Sequence, residues 1–312
     1  MKKSLHLYFF RYCVAICCLM VISQTTLAQT DADALMIPKN LYCAGVMYAN
    51  NSWTNYWEGT FKRDNGNIGT VNTNSYTVVG NYGITNKLDI LFSVPYITTN
   101  ASSGTLKGQS GIQDLTVTLK WLAFQTEIGK GIFSVHAIAS GSIPLSNYEP
   151  NFLPVSIGLH SSTAAFRGLV NYQEGRFFIA AAGQYTQRSD ITIDQDAYYT
   201  TQLIYSNKVY MPNMNNVLVS AGYRSLKLNI EAIVQQTTTL GGFDITRNNM
   251  PFPSNTMNWT SAGGLVKYSF GALSGLELTA GGNYVLKGRN VGQSTDFFGG
   301  VLYIFDFSKN KK

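Results

Sequence analysis

From Ser75 to Phe124 apolar and polar residues change places at every second position. Tyr76, Val78, Tyr82 and Ile84 fall on one parity, with Thr77, Asn81 and Gly83 on the other. After Thr85-Asn86-Lys87 the alternation restarts, setting Leu88, Ile90, Phe92, Val94 and Tyr96 against Asp89 and Ser93. A polar break from Thr98 to Ser110 precedes a third run, in which Leu115, Val117, Leu119 and Trp121 oppose Asp114, Thr116, Thr118 and Lys120. A period of two belongs to strands with one apolar and one polar face. Runs of about ten residues suit a tilted strand that crosses a bilayer.

The rhythm continues on both sides of this stretch. It predicts a first strand over Asn40–Asn50 and, beyond the central three, strands over Gly131–Ser142, Val155–Tyr172, Arg176–Arg188, Met214–Tyr223 and Leu226–Thr237. Thr256–Phe270, Leu276–Leu286 and Asp296–Phe307 complete a count of twelve, with fourteen as the alternative. Odd-to-even connections are long and even-to-odd ones are a few residues, the pattern of bacterial barrels with short periplasmic turns and long extracellular loops. A soluble sandwich has no reason to sort its loops by parity. The expected fold class is therefore all-β: a transmembrane antiparallel up-and-down β-barrel. Within its loops, 51–72 carries Asn65-Gly66, a signal for a small hairpin, and 189–213 is rich in Asp and Tyr. Thr30–Pro38 reads as a short polar leader.

Three short motifs add a resemblance. Tyr82-Gly83-Ile84-Thr85-Asn86-Lys87-Leu88-Asp89, Val94-Pro95-Tyr96 and Gly111-Ile112-Gln113-Asp114-Leu115 resemble the signature of a bacterial outer-membrane transporter family named after the meta-pathway of phenol degradation. That family often has Asp in the first turn; here Asn86 stands there, and either residue suits a tight turn. The resemblance implies a barrel and the passage of small, apolar or aromatic molecules, and it supplies no catalytic residues. Near the end, Gly300–Phe305 resembles the closing-strand signal read by the barrel assembly machinery, although the chain runs on through Phe307 and the basic stretch 308–312.

Composition sharpens the picture at the N-terminus first. Lys2, Lys3 and Arg11 form a basic n-region, Cys13–Ile22 an apolar h-region, and Thr26-Leu27-Ala28 a cleavage site before Gln29, so residues 1–28 read as an export signal and 29–312 as the barrel. Val14-Ala15-Ile16 before Cys17 and Cys18 lacks the small pair of a lipoprotein signal. Removing the signal takes three of the 23 basic residues, leaving 20 against 17 acidic ones, which is no nucleic-acid footprint. It also takes three of four cysteines, leaving Cys43 without an intramolecular partner. Charged residues are 13% of the 312 and aromatic residues another 13%, a low-charge, aromatic-rich composition that lipid-facing strands around a polar lumen produce.

Parity then assigns faces. Tyr82, Tyr96, Trp121, Tyr172, Tyr185, Tyr223, Tyr268 and Tyr284 sit near strand ends with lipid-facing parity, as in aromatic girdles. The opposite face collects Asp89, Asp114, Lys120, His136, Arg167, Gln184, Arg188, Lys227, Glu231, Lys267 and Glu277. These are the pore-lining candidates, because a charge toward lipid is costly. Both signs are mixed, which suits a wall braced by paired charges or a lining that selects solutes without strong ion preference. Ser134-x-His136 and His160-Ser161-Ser162 are the close Ser and His pairs, yet nothing marks an oxyanion hole or an orienting acid. No catalytic, metal or cofactor site is predicted; Asp194-Gln195-Asp196 alone lacks the rest of a calcium loop. The expected function is a channel or transporter for small molecules in the outer membrane of a Gram-negative bacterium. The alternatives are a surface-binding barrel acting through its loops and a lipid-modifying enzyme. Expected partners are outer-membrane lipid, the assembly machinery and a small solute.

Overall fold

The computed structural model describes residues 30, 32–246, 249–270 and 275–307; the predicted export signal and the whole basic stretch 308–312 lie outside them, as does Asn248 of the loop before the tenth predicted strand. Twelve long antiparallel strands form one closed sheet. They are β1 Leu41–Trp53, β2 Val71–Thr85, β3 Leu88–Ala101, β4 Asp114–Ile128, β5 Gly131–Pro144, β6 Thr163–Glu174, β7 Phe177–Arg188, β8 Asn213–Arg224, β9 Leu228–Leu240, β10 Asn258–Ser269, β11 Leu276–Arg289 and β12 Thr295–Asp306. Each strand pairs with its neighbours in sequence, and β1 closes the ring on β12 from Leu41↔Asp306 to Ser52↔Thr295. Closure satisfies every strand edge, the condition for a sheet to sit in hydrocarbon.

Burial confirms which parity points inward. On β4, Val117, Leu119 and Trp121 are 39%, 45% and 52% exposed, while Thr118 and Lys120 between them are 5% and 0% exposed. The outward set is apolar all round the ring, with Tyr96, Trp121, Tyr185, Tyr268 and Tyr284 exposed near strand ends, and Tyr82, Tyr172 and Tyr223 half-buried. On this face Phe92 lies across Gly80, where a Cβ would meet its ring.

The turns at one end are tight. Asn86-Lys87 joins β2 to β3, Gly129-Lys130 joins β4 to β5, and Gly175-Arg176 joins β6 to β7, with Gly175 in the left-handed region (φ 58°) that two-residue hairpins demand. At the other end the loops are long and structured. Loop 54–70 forms a hairpin of Asn55–Glu58 against Phe61–Asp64. Its turn is at Gly59-Thr60, with Gly59 at φ 56°, and Asn65-Gly66 lies beyond the hairpin rather than at its tip. In loop 189–212, Ile191–Thr192 pairs with Lys208–Val209 and Tyr198–Tyr199 with Leu203–Ile204. These small ladders cover a core of Ile191, Ile193, Val209 and Met211.

One predicted strand is shortened. Val155–Tyr172 was expected as a single run, but β6 begins at Thr163, and His160 breaks the extension at φ 55°. Val155 and Ile157 are buried all the same, Ile157 against Ile97 and Tyr148. Their alternation records packing of a loop onto the inner wall, which period alone cannot tell from pairing. A larger difference concerns Thr30–Pro38. Rather than trailing from the barrel as a leader, Thr30 and residues 32–38 lie folded back inside it.

Candidate functional site

The short-turn half of the lumen holds a dense polar layer. Asp89, Lys120, His136, Asn229, Glu231, Lys267 and Glu277 are all buried there. Cross-strand register places Asp89 opposite Lys120 and Asn229 opposite Lys267. Ionised side chains taken out of water are costly unless paired, and the folded-back segment supplies part of the pairing.

Asp33 is its centre. One carboxylate oxygen accepts from Lys120 Nζ at 3.0 Å and the backbone N–H of Leu35 at 3.0 Å; the other accepts from Lys267 Nζ at 2.9 Å, Thr30 N–H at 2.9 Å and Thr30 Oγ1 at 3.0 Å. Lys120 Nζ also donates to the Thr30 carbonyl at 2.9 Å. Lys120 is on β4 and Lys267 on β10, six strands apart either way round the ring. A single carboxylate 4% exposed therefore ties opposite walls together. Such charge-assisted bonds are the strong class, and removing one partner of a buried ion pair costs about 3–5 kcal/mol.

The segment is seated by apolar contacts as well. Ala32 and Ala34 pack on Ile138, Leu169, Ala182 and Leu218 from one side of the ring. Ile37 packs on Cys43, Leu302 and Ile304 from the other. Its exit from the lumen is held by the motif 82–89. Ile37 N–H donates to Asp89 Oδ2 at 3.0 Å, Lys39 N–H to Asn86 Oδ1 at 2.9 Å, and Asn40 N–H to the Gly83 carbonyl at 2.9 Å. Gly83 has no side chain for a steric reason: a Cβ there would lie 2.7 Å from the Ile37 carbonyl oxygen and closer still to that of Pro38. The other two motifs lie side by side on β3 and the approach to β4, where Tyr96 faces Ile112 and Gln113 N–H donates to the Pro95 carbonyl at 2.9 Å. Proline's missing N–H is thus accommodated where the register shifts.

Over Thr30 and Ala32 the lumen opens into a cavity of about 500 Å³. Its wall is mostly apolar, with Cys43, Met47, Leu91, Ile233, Leu265 and Leu302, and Lys267 and Glu277 reach it at the polar end. Higher up the lining turns polar: Arg167 Nε donates to Gln184 Oε1 at 2.8 Å, Gln184 to Thr186 Oγ1 at 2.9 Å, and Asn216 to Thr237 Oγ1 at 2.9 Å. Arg188 lies beside Met214 and Asn51 hydrogen-bonds Asp296.

The predicted lining residues thus separate by depth. Asp89, Lys120, His136, Glu231, Lys267 and Glu277 cluster around the seated segment, whereas Arg167, Gln184 and Arg188 line the upper lumen on β6 and β7. Asp114 stands at the long-loop rim, where its carboxylate accepts from Tyr148 Oη at 2.6 Å. Burial, with Asp114 beside it, pushes the Tyr148 phenol up. Lys227 is apart from all of them, exposed in the turn 225–227 where strand parity no longer fixes a face. Asp33 and Thr30 were not among the predicted residues. The signal available was the apolar run Ala34-Leu35-Met36-Ile37 following a lone acidic stretch, unusual for a solvated leader.

The predicted Ser and His pair is close, with His136 Nε2 3.3 Å from Ser134 Oγ and Asn171 Nδ2 3.4 Å from the same oxygen. His136 Nδ1 has no hydrogen-bond partner among the described residues, so nothing orients the ring as a triad would. Nor, among the described residues, does any group of three or more His, Cys, Asp or Glu meet in metal-binding geometry.

At the long-loop mouth Asn290, in the left-handed region at φ 54° and 2% exposed, ties three loops. Its oxygen accepts from Gly59 N–H at 2.7 Å and Ile245 N–H at 3.1 Å, and its nitrogen donates to Asp244 at 2.7 Å and the Thr256 carbonyl at 2.9 Å. Arg289 grips the same Asp244 through two 2.7 Å bonds. Those bonds hold the Asp244 carboxyl below its ordinary value.

Comparison with known proteins places this architecture. A family model described as "Putative MetA-pathway of phenol degradation" matches residues 67–295. Among solved structures, an outer membrane channel from Pseudomonas putida F1 superposes with a TM-score of 0.68 at 12% identity, covering 89% of this chain and 100% of that one. The NanC porin gives a TM-score of 0.45 at 7% identity over 82% of this chain and 98% of that one. A mutant of the TodX monoaromatic hydrocarbon channel gives 0.44 at 9% identity over 87% and 91%. No curated protein matches the chain in sequence.

Proposed function

The chain belongs to the MetA-pathway of phenol degradation family, and on that footing we propose that it is an outer-membrane channel for small apolar or aromatic solutes, closed at its periplasmic end by residues 30–38. The observation that carries this reading is the mostly apolar cavity of about 500 Å³ resting on that segment in the lumen, between the buried charges at one end and the polar lining of Arg167, Gln184 and Asn216 at the other. Ligand sites typically enclose about 300–1,000 Å³ and are lined mainly by apolar side chains, whereas a simple water-filled pore has no use for an apolar chamber. Twelve strands fit such a passage, since about eight leave an interior filled with side chains and about sixteen leave an open aqueous channel. The outward apolar face meets outer-membrane lipid after insertion by the barrel assembly machinery. In transit a solute enters from the long loops, loses its water in the chamber, and passes when the seated segment withdraws.

The test is flux through purified protein in liposomes, with benzoate, hexanoate, benzyl alcohol and glucose as solutes. At least one solute with an apolar body should equilibrate faster than through protein-free vesicles while glucose should not; equal rates with and without protein for all of them would end the proposal. A second reading, a surface-binding barrel, draws on the tip of loop 189–212, where Tyr205 is 83% exposed, Tyr199 52% and Leu203 51%. Truncating that tip should leave flux unchanged if transport is the function, and abolish surface binding if binding is.

A further inference from the structure

The way Asp33 is held has a chemical meaning beyond closure. Resting on the channel reading above, we infer that Lys120 and Lys267 form a carboxylate-binding site which Asp33 fills in the closed state, and that the solute which opens the channel is a small monocarboxylate with an apolar body.

Four observations combine. First, the two lysines approach one carboxylate from opposite walls, β4 and β10, each with Nζ at 2.9–3.0 Å from a different oxygen. That is the arrangement of a two-point anion clamp. Second, the carboxylate comes from a segment seated by a few backbone hydrogen bonds and by small apolar contacts through Ala32, Ala34 and Ile37, not from the barrel. Third, Lys267 and Thr30 both line the apolar chamber. A molecule whose apolar body occupies that chamber can therefore place a terminal carboxylate on Lys267 beside Asp33. Fourth, exchange of one carboxylate for another leaves both ammonium groups compensated throughout, so no bare buried charge is created on the way. A neutral solute of the same size fits the chamber but leaves Asp33 in place. An amine meets the lysines as a like charge.

Recognition and opening are then one event. The entering anion competes with a tethered anion, and the segment leaves because its strongest anchor has been replaced. Lys120 loses the Thr30 carbonyl at the same moment, since that contact is made by the same segment. The wall carboxylates that also face the lysines are Asp89, opposite Lys120 across strands, Glu277, which shares the chamber with Lys267, and buried Glu231, whose charge acts on Lys267. Should these suffice to hold the lysines, an external carboxylate would gain nothing over its neutral analogue, and the inference would fail.

The experiment uses full-length protein in a planar bilayer, with benzoate and hexanoate compared with benzyl alcohol and hexanol at equal concentration. The acids should raise the open fraction about tenfold more than the alcohols, the size of effect one charge-assisted contact confers. Lys267→Met and Lys120→Met should each erase the difference between acid and alcohol. Asp33→Asn should conduct without added solute and lose its response to the acids. Each variant is first checked for the mobility shift on boiling that a closed barrel shows. If a lysine variant does not assemble, Asp33→Asn, which leaves the wall intact, decides. Equal responses to acids and alcohols, or an acid preference that survives loss of both lysines, overturns the inference while the channel stands. Absence of current and flux with every solute instead brings down the channel reading itself.

Discussion

Replacing Gly83 with Ala should open the channel without touching a single lumenal charge. The new Cβ would stand 2.7 Å from the Ile37 carbonyl oxygen and nearer that of Pro38, and both neighbours are backbone, which cannot rotate away. The segment must lift, weakening the Asn40 N–H bond to the Gly83 carbonyl and the Ile37 N–H bond to Asp89. Overpacking of this kind costs about 1–3 kcal/mol, and a middle value of ~2 kcal/mol shifts the ratio of withdrawn to seated segment about thirtyfold. Two measurements should report the same factor. The closed-time fraction of single channels should fall, and exchange of the Ile37 and Asn40 amide hydrogens should speed up to match. Mobility on a gel before and after boiling should stay as in the parent, because β2 keeps its pairing with β1 and β3. Parental amide exchange in a Gly83→Ala protein with an intact barrel would refute the reasoning, for it would mean the segment is not pressed against Gly83 at all.

Further outcomes are expected at other levels. Val117→Lys puts an ammonium on the lipid face and should impair membrane assembly by roughly 2–4 kcal/mol near the midplane, whereas Asp89→Asn should assemble; the reverse result would exchange inside and outside. Asn290→Ala removes four hydrogen bonds at the mouth, worth about 1 kcal/mol each, and should leave the barrel intact while proteases nick 241–257 more readily, which mass spectrometry of the fragments would reveal. The Asp244 carboxyl is lowered from its ordinary 3.8 by Arg289. Its contribution to loop order is therefore full above that value and lost as pH falls through the lowered one, so nicking of the same loop should be constant from pH 8 to 5; a rise near pH 6 would point to another group. Tags at Gly66, Gly104 or Asp194 should be reached from outside intact cells and tags at Asn86 or Glu174 should not, the opposite pattern inverting the barrel.

The ring of strands was legible because a membrane barrel writes itself in a two-residue code. Val117, Thr118, Leu119 and Lys120 declare their faces without reference to any partner, and the sorting of loops by parity supplies the closure. Loops obey no such code. Val155 and Ile157 alternate like a strand yet pack as a loop, since burial against Ile97 and Tyr148 selects apolar residues just as lipid does. Asn65-Gly66 is a good turn sequence, but Gly59-Thr60 matches the register that Glu58 and Phe61 adopt. The candidate site was half visible. Lys120 and Lys267 announced themselves as charges on an inward face, whereas the group that joins them lies in a nine-residue stretch too short for any period to emerge, and its partners are 87 and 234 residues away. The motif 82–89 was recognised as a signature, but its physical purpose, a cradle for residues 37–40, needed coordinates.

The anchoring of one carboxylate to β4 and β10 also makes the seated segment a check on the barrel's construction. The β2–β3 hairpin can grip residues 37–40 as soon as it forms, because Gly83, Asn86 and Asp89 are near in sequence and need no distant strand. The second lysine arrives only when β10 has come round to face β4. With only one of those walls present, Asp33 has half a socket. Full seating of Asp33 therefore requires both walls in place and in register, which a barrel with a missing or misregistered wall does not offer.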